Sequence, residues 1–125
     1  MILDSDVLID ILRRHQPAVA WFASLSAMPP TCGVAALELV YGARDSTELA
    51  AIYNFLALFT IIWPDTGGMN TALFDLARYK LSTNLGLLDG LIAATALSIG
   101  EPLATFNTKH FSSVPDLSIV QQYVR

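Results

Sequence analysis

The chain has 125 residues, of which 54% are hydrophobic and 14% are charged, and its formal net charge is −4. This length suits one domain with a single core, so we expect one domain over residues 1–125. The acidic balance argues against a protein that holds nucleic acid by bulk positive charge, although bound divalent cations reverse the local charge at an acidic site. Cys32 is the one cysteine and no secretory leader is recognisable, so we expect a cytoplasmic protein.

The mean hydropathy of +0.51 is high for a small domain. The longest apolar stretches, at 55–63 and 85–97, are too short or are interrupted by Asp89, so we predict no membrane-spanning segment. We interpret the apolar excess as surface that another chain covers, in a homodimer or with a tight protein partner.

The first half of the chain alternates between short apolar runs and segments with helical spacing. Pro17 suits the first turn of a helix, and Pro29-Pro30 ends it. The predicted elements of this half are a strand at 1–3, helices at 7–12 and 18–27, a strand at 31–35, and helices at 36–44 and 46–58.

The second half continues the alternation, with Gly100 in the usual position of a helix C-terminal cap. Its predicted elements are a strand at 59–63, helices at 66–82 and 88–99, and strands at 102–106 and 117–120. Strands that alternate with helices predict an α/β fold in which a central parallel sheet is covered by helices on both faces.

Three carboxylates lie in apolar stretches with no Lys or Arg within four residues: Asp4, Glu38 and Asp89. A buried ionised carboxylate is costly unless it is paired, hydrogen-bonded or bound to a metal. Parallel sheets bind their ligands at the carboxyl ends of the strands. Asp4 and Asn107 directly follow predicted strands, and Glu38 lies early in the helix that follows a predicted strand. If these acids converge, they predict a Mg²⁺ or Mn²⁺ site.

Each of the three acids also has an ordinary structural interpretation. Asp4 suits a helix N-cap, Asp89 suits a helix N-terminal dipole, and Glu38 suits a capping or solvated position. Asp6 could be a further ligand, a carboxylate that supports the ligands, or an ordinary acid of the first helical turn, and we favour the supporting role. His15 and His110 have no zinc-ligand spacing, and Gly67-Gly68 lacks a nucleotide-binding fingerprint.

Four stretches in this order, MILDSDVLIDIL, AALELVYGA, LLDGLIAATALSIG and PLATFNTKHF, resemble PIN-domain ribonucleases, specifically VapC-type toxins of bacterial type II toxin–antitoxin systems. The resemblance covers nearly the whole chain. It implies a three-layer α/β/α sandwich with a central parallel sheet. It also implies that Asp4, Glu38 and Asp89 are catalytic residues that bind Mg²⁺ or Mn²⁺ and hydrolyse RNA to a 5′-phosphate and a 3′-hydroxyl, with transfer RNA or ribosomal RNA as the expected substrate.

The resemblance places Asn107 at the fourth acidic position of the family's catalytic site. An amide oxygen can ligate a hard cation but adds no negative charge, so we expect one firmly held ion and a second that binds only with substrate. Asp6 could restore some of the missing charge, and Thr105 is expected to be a polar neighbour of the site.

The resemblance also implies partners. A cognate VapB-like antitoxin could cover apolar surface and place an arginine or lysine of an extended inhibitory segment against the acids. Basic residues that could line the rim of the site for RNA are Arg13, Arg14, Arg44, Arg78, Lys80 and Lys109.

Two other functions stay open on the sequence. Asp4-Ser5-Asp6 after an apolar strand is similar to the signature of haloacid-dehalogenase-like phosphatases, with Asp4 as nucleophile and Asp6 as general acid, but no downstream lysine has the expected context. A catalytically degenerate PIN-like module that only binds protein or RNA is suggested by Asn107. The intact Asp4, Glu38 and Asp89 argue against that alternative.

Overall fold

The computed structural model describes residues 1–125. Five short strands form one sheet: β1 (Ile2–Leu3), β2 (Thr31–Cys32), β3 (Ile61–Ile62), β4 (Leu103–Ala104) and β5 (Ile119–Val120). Seven helices connect and cover them: α1 (Ser5–Leu12), α2 (Gln16–Ala23), α3 (Gly33–Tyr41), α4 (Ser46–Leu56), α5 (Thr66–Thr83), α6 (Leu87–Ser98) and α7 (Thr108–Phe111).

All strand pairs in the sheet are parallel, and the strand order is β3-β2-β1-β4-β5. Leu3 of β1 aligns with Thr31 on one side and with Ala104 on the other. The chain therefore winds outward from β1 in both directions, and the topology switches between β1 and β4. The predicted three-layer α/β/α sandwich with a parallel sheet is confirmed. Crevices at such a switch point are where open parallel sheets bind ligands.

The central strands carry the apolar residues of the core. Ile2, Leu3 and Leu103 are fully buried, as expected for strands that have helices on both faces. They belong to one core cluster of 22 buried residues to which most of the helices contribute. This core fixes the ends of β1 and β4 side by side, which places the residues that follow them at one edge of the sheet.

The predicted strand at 31–35 is too long. Only Thr31 and Cys32 are in β2, and α3 begins at Gly33, where an added Cβ would clash with the Trp63 ring. The next three residues, 34–36, are buried as part of α3 rather than as part of a strand. A short buried apolar run does not distinguish these two states by periodicity alone.

Other boundaries also differ from the predictions. The second helix covers Gln16–Ala23 rather than 18–27, with Pro17 in its first turn. The remaining strands are two residues long each, and α7 was not predicted because four residues give no measurable period. None of the helices combines the length and the apolar character needed to cross a membrane.

Candidate metal centre

Asp4 lies at the carboxyl end of β1 and is the N-cap of α1. Its Oδ1 accepts a hydrogen bond from the Ser5 backbone N–H at 2.7 Å, and its Oδ2 accepts one from the Thr105 hydroxyl at 2.7 Å. The side chain is buried, with only 3% of the residue exposed. Asp4 therefore has the structural role of a cap. Its Oδ1 also accepts a longer hydrogen bond from the Ser5 hydroxyl at 3.4 Å, whereas its Oδ2 keeps a second lone pair for a cation.

Asp6, like Asp4, is hydrogen-bonded to the residues that follow β4. Its Oδ2 accepts a hydrogen bond from the Phe106 backbone N–H at 2.8 Å and a longer one from the Thr105 hydroxyl at 3.3 Å. Its Oδ1 accepts from the Val7 backbone N–H at 2.7 Å. Both oxygens of Asp6 are thus held by the protein, which suits a carboxylate that supports the ligands.

Asp89 is in the first turn of α6, and Asn107 is the N-cap residue of α7. Asn107 Nδ2 donates to Asp89 Oδ2 at 3.4 Å, and His110 Nδ1 lies 3.4 Å from the same oxygen. Asn107 Nδ2 also lies 3.2 Å from His110 Nδ1. The structure therefore brings Asn107 to Asp89, and it adds His110, to which the sequence analysis gave no role.

Glu38 lies in the second turn of α3 and has a buried carboxylate oxygen, Oε1, without a hydrogen-bond partner. It is the one charged residue in the lining of a cavity of about 610 Å³ that also contains Val34, Tyr41 and Leu88. A buried carboxylate oxygen without a donor destabilises the folded chain, so a hydrogen-bond donor or a cation beside Glu38 Oε1 would be stabilising.

The pKa values connect these acids electrostatically. Burial, together with the charges of Asp6 and Asp89, raises the pKa of Asp4 to about 7, although hydrogen bonds from Thr105 and Ser5 act in the opposite direction. Burial and then the charges of Asp89 and Asp6 raise the pKa of Glu38. Burial also raises the pKa of Asp6, and hydrogen bonds from Phe106 and Val7 partly offset this effect. Negative charge is therefore concentrated at this edge of the sheet.

As the side chains stand, no three Asp, Glu, His or Cys residues surround a point that could hold a metal ion. The chemistry of the group nevertheless fits Mg²⁺ or Mn²⁺, because the candidate donors are carboxylate and amide oxygens, neighbouring carboxylates raise the pKa of Asp4 and of Glu38, and Glu38 Oε1 lacks a partner. Closing these donors around one ion would require side-chain rotation.

Among the basic side chains, Arg125 acts on these acids, because its positive charge lowers the pKa of Asp6. Arg125 could not be predicted as a neighbour of the site, because nothing in the order of residues relates the end of the chain to α1. Of the basic residues expected at the rim, Arg44 pairs with Glu48 and Arg78 pairs with Asp75, in each case with a nearby acid in the sequence.

Fold and site together define a three-layer α/β/α domain with an acidic centre at the switch point of its sheet. The model of the PIN domain family matches residues 1–117. The curated protein Ribonuclease VapC19 of Mycobacterium tuberculosis is 32% identical over 123 residues, which cover 93% of this chain and 95% of that one. Ribonuclease VapC10 of the same species is 37% identical over 115 residues, which cover 89% and 85%. The chain belongs to the PIN-domain family and, within it, to the VapC ribonucleases.

Solved structures have the same fold. The toxin–antitoxin complex from Klebsiella pneumoniae contains a chain with a TM-score of 0.77 and 23% identity, and the match covers 98% of this chain and 97% of that one. The DNA-bound VapBC from Salmonella typhimurium gives a TM-score of 0.80 at 24% identity, with 95% of each chain covered.

Proposed function

We propose that this chain is a Mg²⁺- or Mn²⁺-dependent endoribonuclease toxin of the cytoplasm, which cleaves a structured RNA such as transfer RNA or ribosomal RNA. The observation that carries this proposal is the concentration of Asp4, Asp6, Glu38 and Asp89 at one sheet edge, where the charges of Asp6 and Asp89 raise the pKa of Asp4 and of Glu38. Four carboxylates are unfavourable together without a cation. The two mycobacterial relatives, which are named ribonucleases, support RNA as the substrate.

In this proposal Asp4, Glu38 and Asp89 bind the ion, and Asn107 contributes its amide oxygen. A bound divalent ion lowers the pKa of a coordinated water, neutralises charge that grows on the phosphoryl oxygens and orients the scissile phosphate. The protein's own part is to hold the carboxylates in place. The Thr105 hydroxyl orients Asp4, and the Phe106 backbone N–H orients Asp6.

A protein partner is part of the proposal. Thirteen large hydrophobic residues are exposed, and several line open apolar cavities. The cavity beside Glu38 has three of them in its lining, Leu37, Tyr41 and Leu88, so a segment that covers it would also reach Glu38. The two solved structures of the same fold are a toxin–antitoxin complex and a DNA-bound VapBC, which supports a VapB-like antitoxin as the partner. A homodimer would cover a further part of this apolar surface.

The test is cleavage of total cellular RNA by the purified chain in Mg²⁺, Mn²⁺ or EDTA, with the product ends mapped. Asp89→Asn keeps the side-chain volume and removes the charge, and it should lower cleavage by at least about 100-fold. Asp116→Asn is the matched control, because Asp116 is an exposed acid in a loop. Metal-dependent cuts that Asp89→Asn loses and Asp116→Asn keeps would support the proposal. Cleavage that persists in EDTA would contradict it.

The two alternatives fare differently. The phosphatase alternative is disfavoured by family membership and by Asp4, which is almost fully buried with both oxygens hydrogen-bonded rather than exposed for nucleophilic attack. A binding module without catalysis keeps some support from Asn107, which replaces an acid by an amide. Folded protein that binds Mn²⁺ but cleaves no RNA would favour this second candidate.

A further inference from the structure

A three-residue loop after β4 touches most of the acids of the candidate metal centre. The Thr105 hydroxyl donates to Asp4, the Phe106 backbone N–H donates to Asp6, and Asn107 Nδ2 donates to Asp89. The Thr105 hydroxyl oxygen also accepts a hydrogen bond from the Asn107 backbone N–H at 3.0 Å. A displacement of this loop would therefore disturb three carboxylates at once.

The side chain of Phe106, in the middle of the loop, packs on the C-terminal segment. Its ring centroid lies 4.8 Å from that of Tyr123, and the Arg125 guanidinium carbon lies 5.3 Å from the Phe106 ring centroid. Both distances are in the range of aromatic pairs and cation–π contacts. The position of the loop thus depends on two residues that lie far from it in sequence.

Tyr123 and Arg125 are in turn anchored on α1 through Asp10. The Tyr123 hydroxyl donates to Asp10 Oδ2 at 2.8 Å, Arg125 Nε lies 3.1 Å from Asp10 Oδ2, and Arg125 Nη2 donates to Asp10 Oδ1 at 3.2 Å. Asp10 is buried, with 8% of the residue exposed, and these two partners satisfy both of its carboxylate oxygens. It lies one helical turn after Asp6, and burial raises the pKa of Tyr123, which keeps its hydroxyl protonated as a donor.

We propose that Asp10, Tyr123 and Arg125 form a positioning clamp, which holds Phe106 and with it the loop 105–107 in the conformation that the metal ligands need. None of the three is among the proposed metal ligands, and they act through Phe106, so they are positioning residues. This inference rests on the proposed metal-dependent function. The charge of Arg125 alone would act in the opposite direction, because a cation near the acids competes with a metal ion for them.

The test is Mn²⁺ binding to the full chain by calorimetry, without RNA. Tyr123→Phe removes one hydroxyl and no charge, and it should weaken Mn²⁺ affinity by about 10-fold, the usual size of effect for groups that orient metal ligands. Tyr53→Phe is the matched control, because Tyr53 is an exposed tyrosine on α4, and it should leave the affinity unchanged. Asp10→Asn should weaken the affinity at least as much, and thermal unfolding of each variant reports whether the fold is intact.

Two variants of Arg125 separate its role in positioning the loop 105–107 from the effect of its positive charge. Arg125→Ala should weaken Mn²⁺ binding and Arg125→Lys should restore part of it, whereas Arg44→Ala, in an exposed ion pair on the surface, should have no effect. Saturating Mn²⁺ should recover most of the RNA cleavage rate of Tyr123→Phe. Unchanged affinity in Tyr123→Phe, or tighter binding in Arg125→Ala, would overturn the clamp. A wild-type chain that binds no Mn²⁺ would instead overturn the proposed metal site.

Discussion

The Thr105 hydroxyl donates a 2.7 Å hydrogen bond to Asp4 Oδ2 across 101 positions of sequence. Both residues are buried, and they follow the adjacent parallel strands β4 and β1. The bond lowers the pKa of Asp4, against the larger effect of burial. Thr105, at the end of β4, therefore favours the charged form of Asp4, at the end of β1.

Thr105→Val keeps the shape of the side chain and removes this donor. We expect the pKa of Asp4 to rise further and the Mn²⁺ affinity at neutral pH to fall by about 10-fold, as for other groups that orient ligands. Calorimetric titration with Mn²⁺ measures the change. Thr105→Ser keeps the hydroxyl and serves as the control. An unaltered Mn²⁺ affinity in Thr105→Val would show that the hydroxyl does not support the site.

Mn²⁺ binding should depend on pH through Asp4, whose pKa is about 7 without an ion. Below that pH the carboxyl group is protonated, and an ion must displace the proton, so affinity should fall by roughly tenfold for each pH unit. Above pH 7 the dependence should flatten. The raised pKa values of Glu38 and Asp6 act in the same direction. Calorimetry in buffers of different ionisation enthalpy would count the protons that Mn²⁺ binding releases. Mn²⁺ binding near pH 6 without proton release would contradict the prediction.

The same pKa predicts how stability depends on pH in EDTA. The Asp4 carboxyl has a pKa of about 7 in the folded chain and its ordinary value of 3.8 in the unfolded chain, so the folded chain loses stability as pH rises from about 4 to about 7. Asp4→Asn removes this penalty and should stabilise the chain at pH 8 by on the order of 3 kcal/mol, with little effect near pH 4. Urea unfolding at the two pH values tests this.

Saturating Mn²⁺ should reverse that order, because the ion stabilises only the chain that binds it. Asp116→Asn, which changes an exposed acid, should follow the wild type under both conditions. If Asp4→Asn were less stable than the wild type at pH 8 in EDTA, the carboxylate would be compensated within the protein, and the argument for a missing cation would lose its main support.

The sequence was sufficient for the fold class, whereas the metal site that it suggested stays a prediction. Alternating strands and helices predicted the parallel sheet, and acids without local basic partners predicted where charge concentrates. The contacts that support those acids could not be predicted in the same way. Asp10 and Arg125 are separated by 115 positions, and their pairing depends on where the C-terminal segment packs. Strand lengths were overestimated for a related reason, since apolar residues 34–36 are buried equally well by α3.

Asn107 provides a test of the fourth ligand position. The amide lies 3.4 Å from Asp89, so Asn107→Asp would place a second negative charge there. We expect tighter Mn²⁺ binding and a second bound ion without RNA, because ligand charge is one determinant of divalent-ion affinity. Mn²⁺ stoichiometry by calorimetry measures this. Asn54→Asp, on the exposed surface of α4, controls for net charge. A single ion with unchanged affinity in Asn107→Asp would mean that position 107 does not face the metal.

The exposed face of α5 gives a prediction about self-association. This 18-residue helix carries four exposed large apolar side chains, at Met69, Leu73, Phe74 and Leu81. A cavity of about 550 Å³ between α5 and α6 is lined partly by Met69 and Leu73 and opens on the same face. We expect a second copy to cover this face, so Leu73→Lys should shift sedimentation equilibrium toward monomer. Leu58→Lys, on an exposed residue outside α5, should leave the equilibrium unchanged. A dimer that survives Leu73→Lys but dissociates in Leu58→Lys would place the interface elsewhere.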